Sequence, residues 1–104
     1  MLYVMLADWK PGLSQEQQTG ALGRRAQWQY PGTVKVVGEY WLATHAPAVI
    51  SIFESDTYES LMEISLYWQD VFDLHFFPAT TPEEGLRMGQ QVMERLGASQ
   101  QTGG

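Results

Sequence analysis

The stretch Val34–Ser55, VKVVGEYWLATHAPAVISIFES, constrains the fold of this chain most tightly. Two runs rich in β-branched and aromatic residues, about 34–43 and 48–54, flank a short Thr44-His45-Ala46-Pro47 connection. They read as two strands joined by a turn. In the first run, Val34, Val36, Gly38, Tyr40 and Leu42 face one way, and Lys35, Val37, Glu39, Trp41 and Ala43 face the other.

The flanking segments are helical. Leu13 to about Tyr30 starts with Ser14 and, three residues on, Gln17, the arrangement of a capping box, and ends before Pro31-Gly32. Its inner stripe is expected to be Gln17, Ala21, Arg24 and Trp28. A second helix runs from a cap at Asp56 or Ser55 to about Gln69, with Tyr58, Leu61, Ile64, Ser65 and Trp68 inward. Outside these lie two further strands. Leu2–Trp9 is apolar on both faces. In Val71–Pro78, Phe72, Leu74 and Phe76 form one apolar set while Asp73 and His75 interrupt the other. Thr81-Pro82-Glu83-Glu84 then starts a last helix, with Thr as cap, Pro at the first turn and carboxylates at the positive end of the dipole. This helix is expected to turn Leu86, Gly89, Val92, Met93 and Leu96 inward and to stop at Gly97.

The resulting order, βαββαβ plus a helix, predicts an α+β ferredoxin-like domain over residues 1–97, with a disordered tail at 98–104. Helices on one sheet face leave the other bare, and two of the strands are too apolar for that face to meet water. A two-fold homodimer closing sheet against sheet into an α/β barrel is the expected solution. A monomer whose last helix covers the face is the alternative. Four Trp, five Tyr and four Phe exceed what one small core needs and favour the second buried surface.

The strand VVGEYW, the passage AVISIFESDTYESLMEI and the segment WQDVFDLHFFPATTPEEG resemble the DUF3303 family of small proteins of unassigned function. The resemblance runs from Met1 to about Leu96, with Gly38-Glu39-Tyr40 at the family's Gly-x-aromatic position. It also links the chain in pattern to GYD-domain proteins. It implies the dimeric α/β-barrel fold and supplies no active site.

The formal net charge of −6, with Arg24-Arg25 the one adjacent basic pair, gives no footprint for nucleic acid or an anionic membrane. The absence of cysteine excludes thiol and zinc-thiolate chemistry. No export signal is visible, so a cytoplasmic location is expected. His45 and His75 have no metal-ligand spacing, and no metal or cofactor is expected. A haem would need a strand histidine on the helix side, and His75 is the strand-borne choice. Asp73 and His75, two apart on a strand, share a face and read as an edge polar pair or as an oriented general base. Glu39 is a further catalytic candidate. Glu39, Trp41 and Lys35 form a row that, facing the helices, would wall a pocket with Arg24 and Trp28. Set against that, Lys35 and Glu39 could simply keep an edge strand soluble, and Arg24 could be a surface residue with a packed stem. A small apolar or aromatic ligand between sheet and helices is the leading functional reading. A cofactor-independent oxygenase or isomerase and a protein-interaction domain are the alternatives.

Overall fold

The computed structural model describes the backbone of residues 1–103 and the side chains of residues 1–98. Four strands and three helices alternate: β1 (Leu2–Trp9), α1 (Gln15–Gln27), β2 (Lys35–Trp41), β3 (Val49–Glu54), α2 (Tyr58–Trp68), β4 (Phe72–Ala79) and α3 (Pro82–Gly103). The strands pair antiparallel in the order β2-β3-β1-β4, so β1 and β3 are central and β2 and β4 are edges. This is the ferredoxin-like α+β arrangement expected from the sequence.

Strand parity divides the sheet into two faces. Tyr3, Met5, Ala7 and Trp9 of β1 stand beside Val49, Ser51 and Phe53 of β3 and Phe72, Leu74 and Phe76 of β4. Against this side lie Ala21 of α1 and Leu61, Ile64 and Trp68 of α2, which with the sheet residues form the core. Phe53 and Ile64 are wholly inaccessible. Trp9 stacks on Phe72 with ring centroids 4.4 Å apart, closing one end. The other side carries Leu2, Val4, Leu6, Ile50 and Ile52, and among the described residues no helix lies over it.

One extra residue bends β2. Val36 stands opposite Phe53 and Gly38 opposite Ile52, leaving Val37 without a partner. Strict alternation fails at this bulge. Glu39 and Trp41 therefore face the helices, while Lys35, paired with Glu54, faces the open side. The expected Lys35–Glu39–Trp41 row does not exist. Beside the bulge, Gly38 makes room for the Tyr40 ring, whose hydroxyl lies 2.9 Å from where a Cβ would stand.

Helix ends follow local hydrogen bonding. Ser14 caps α1 with the full reciprocal box to Gln17. α1 stops at Gln27 rather than Tyr30, and Trp28 is its extended C-cap residue. The cap of α2 is Thr57, neither Asp56 nor Ser55, because Ser55 spends its hydroxyl on the Thr57 backbone and leaves Thr57 Oγ1 to accept from the Ser60 amide. Starting one residue later turns Tyr58 outward and buries Ser60 in its place. Thr81 caps α3 as expected, accepting from the Glu84 amide.

α3 departs most from expectation. Its helical backbone continues past Gly97 to Gly103, and of the tail expected at 98–104 the side chains from 99 onward fall outside the described residues. Leu86, Val92, Met93 and Leu96 are exposed rather than inward, and among the described residues no side chain of α3 belongs to the core or packs against it. The helix accounts for roughly 33 Å of length at 1.5 Å per residue, and the molecule extends 64 × 28 × 21 Å. The final helix thus does not cover the open sheet face.

Phe53, inaccessible and in ring contact with Tyr3, Tyr30 and Phe76, anchors the core. Phe53→Ala is expected to destabilise the fold by about 3–5 kcal/mol, read as a shifted urea midpoint at unchanged slope. A loss under 1 kcal/mol would show that the core sits elsewhere.

Candidate functional site

Among the residues of α1, Ala21 alone is buried. A helix with so little apolar surface fills little of the space against the sheet, and it leaves a gap beside Ala21. The gap is a cavity of about 210 Å³. Its floor is Met5, Ala7, Trp9, Val49, Phe72 and Leu74, its roof Ala21, Leu22 and Trp28, and its walls Trp68 and Trp41. All four tryptophans of the chain line this one space.

Polar clasps hold α1 where apolar packing is weak. Arg24 reaches toward the end of α2, where Nη1 and Nη2 donate to the Asp70 carboxylate at 2.7 and 3.1 Å and Nη2 also donates to the Tyr67 carbonyl. Its guanidinium lies 4.7 Å from the Trp68 ring centre. Arg25 reaches the other way, to β2. Its Nε and Nη2 each donate to Glu39 at 3.0 Å, and its Nη1 donates to the Trp28 carbonyl. Glu39 further accepts from the Tyr30 hydroxyl at 2.5 Å and from Trp41 Nε1 at 2.8 Å. Tyr30 in turn shares a 2.7 Å hydrogen bond with Ser51 on the central strand β3. Helix end, edge strand and sheet centre are tied together in one network, with no buried side-chain polar atom unpartnered among the described residues.

The electrostatics follow from these partners. Burial pushes the Glu39 carboxyl up, but the hydrogen bonds from Arg25, Tyr30 and Trp41 outweigh it and hold the group below the ordinary 4.5. Burial, reinforced by the neighbouring carboxylate, drives the Tyr30 phenol well above its ordinary value. Glu39 is thus a fixed anion and Tyr30 a fixed neutral donor. Neither is poised to move a proton near neutral pH.

A family model described as a domain of unknown function, DUF3303, matches residues 1–93. The chain belongs to the DUF3303 family. No curated protein and no solved structure matches it. The matched range of the DUF3303 domain takes in every cavity residue and both arginine clasps, and it ends inside α3.

Of the residues singled out in the sequence, Trp28, Glu39 and Trp41 meet at the cavity of this DUF3303 domain, and Arg24 does not. Arg25 takes the place assigned to Arg24. Both follow Ala21 on the helix, at i+4 and i+3, so spacing alone does not separate them. Tyr30 was missed because it follows the helix and is brought back by the Pro31-Gly32 turn. Asp73 and His75 share a face, as parity required, but it is the open face, away from the cavity. They do not pair with each other: Asp73 accepts from Lys10 Nζ at 2.8 Å, and His75 Nε2 lies 3.3 Å from Asp8. His75 therefore cannot serve a group bound on the helix side. His45 is exposed in the β2–β3 connection, where its carbonyl accepts from the Trp9 amide. No cluster of His, Asp or Glu suited to a metal occurs among the described residues.

A carboxyl held low in the folded state stabilises the fold above its unfolded pKa, and that contribution is lost as pH falls through the folded value. Glu39→Gln is therefore expected to cost about 2 kcal/mol near pH 7, since it breaks charge-assisted hydrogen bonds and strands Arg25. The difference from wild type should narrow below about pH 4.5. Urea denaturation of both proteins between pH 3 and 7 measures this. A pH-independent gap would show that the charge of Glu39 is not what holds the helix.

Proposed function

We propose that this DUF3303 protein is a homodimer, joined through its open sheet faces, in which each protomer binds a small uncharged aromatic compound between sheet and helices. The observation that carries the reading is the convergence of every tryptophan on one cavity. Aromatic walls bind ring systems through large contact area and offset or edge-on geometry. An engineered apolar cavity near 150 Å³ holds benzene, so 210 Å³ suits one ring or two fused rings.

Charge selects further. Arg25, Glu39 and Tyr30, the polar groups at the cavity, are already bonded to one another. A charged ligand would have to break these bonds or remain unpaired, and either costs several kcal/mol. A neutral ring needs neither. Leu22, Trp41 and Leu42 are exposed and also line the cavity, so they form its mouth.

The oxygenase or isomerase reading gains no support. Asp73 and His75 lie on the far face, and Glu39 is held as a fixed anion. The homodimer rests on the open face, where Tyr40 and Phe77 remain 59% and 50% exposed. No helix among the described residues is long and apolar enough to cross a membrane.

Indole and benzoate provide the test. At 1 mM indole and a dissociation constant near 100 μM, linkage gives about 1.4 kcal/mol of stabilisation, a melting shift of roughly 5 °C or more. Benzoate at the same concentration should give less than a quarter of that shift. Ala21→Trp, which fills the cavity from its roof, should abolish the indole effect. Trp41→Ala, at the exposed mouth, should weaken it without loss of fold. Equal responses to indole and benzoate, or an undiminished response in both variants, would overturn the proposal.

A further inference from the structure

α3 is amphipathic without a partner. At 100° per residue, Leu86, Gly89, Val92, Met93 and Leu96 fall on one side of the helix. Glu83, Glu84, Arg87, Gln90, Gln91, Glu94 and Arg95 fall on the other. The apolar side is bare: Leu86 is 76% exposed and Met93 70%. Stripes of this kind on a water-soluble domain mark a contact surface.

We propose that the apolar side of α3 docks on the second copy of this chain, as an arm that completes the dimer closed by the open sheet faces. The inference rests on the dimer proposed above and adds to it. Area favours this occupant. Four strands about 4.8 Å apart, with some six residues rising about 3.3 Å each, offer a face of roughly 400 Å². A stable interface buries about 800 Å² per partner. The outline of the sheet face alone is smaller than such an interface. The exposed apolar side chains of α3 present roughly another 400 Å², which brings each protomer to the standard size.

Continuity points the same way. α3 follows β4 after Thr80 and Thr81, and β4 is an edge of the open face, so the arm leaves from the rim of the surface the partner covers. Among the described residues no side chain of the arm joins the core, and Leu86 and Met93 stay exposed, open to another protomer. Its charges lie away from the stripe and include the Glu84–Arg87 pair at 2.6 Å, so the approach of a second acidic chain meets little repulsion from the stripe itself.

Sedimentation velocity on variants of this chain separates the two ideas. Leu86→Glu/Met93→Glu is expected to raise the dimer dissociation constant at least 100-fold, with far-UV circular dichroism unchanged because neither residue packs on its own protomer. Arg87→Ala/Gln91→Ala, on the polar side, should leave dimerisation within twofold of wild type. Tyr40→Glu/Phe77→Glu, on the sheet face, should also give monomers. If the sheet variant dissociates while the α3 variant stays dimeric, the arm is overturned and the sheet-face dimer stands. If wild type is monomeric at 50 μM, both fail.

Discussion

Two neighbouring arginines at the end of α1 hold a helix that hydrophobic packing alone would not hold. Arg24 is bound to Asp70 beyond α2, and Arg25 to Glu39 on β2. The two clasps differ in weight. The Arg24–Asp70 pair is largely in solvent, where even good bidentate geometry contributes modestly. The Arg25–Glu39 pair is more enclosed, with the Glu39 side chain only 14% exposed, and it is extended by Tyr30 and Trp41. Because a cluster of polar bonds sets the height of α1 above the sheet, the space beneath need not be filled by side chains. The cavity is the gap left beside Ala21.

The same arrangement gives the cavity its chemical character. A carboxylate, a guanidinium and a phenol stand at its edge, yet each is consumed by the others, and what faces the interior is mainly indole and aliphatic surface. Fully bonded polar networks rigidify their surroundings and resist rearrangement. In this domain the network fixes the position of Trp41, through its Nε1–Glu39 bond, and that of Trp28, whose carbonyl accepts from Arg25. In the proposed ligand-binding reading, recognition falls to shape and aromatic contact rather than to charge.

The layout of the fold was legible in the sequence because strand alternation and capping residues act locally. The limits of β1, the Ser14–Gln17 box and the Thr81 cap follow from short-range chemistry and appear where expected. The site was half legible. Glu39, Trp41 and Trp28 could be placed together from strand and helix phase, but the bulge at Val37 removed Lys35 from the row, and nothing in a strict two-residue period announces a bulge. The choice between Arg24 and Arg25 depended on whether α1 leans toward α2 or β2, a tertiary matter, and the structure shows that it is tied to both. For α3, helical periodicity revealed an apolar side correctly but could not say what lies against it.

The four indoles form one aromatic chamber bordered by the Arg25–Glu39 clasp. The most direct measurement is a titration of ¹⁵N-labelled protein with indole, following the tryptophan Nε1–H resonances. All four resonances should shift together along one saturable curve, and that of Trp41 should keep the downfield position of a proton bonded to a carboxylate. Four resonances that stay unmoved while backbone amides of the open sheet face, around Tyr40 and Phe77, respond instead would place the ligand outside the chamber.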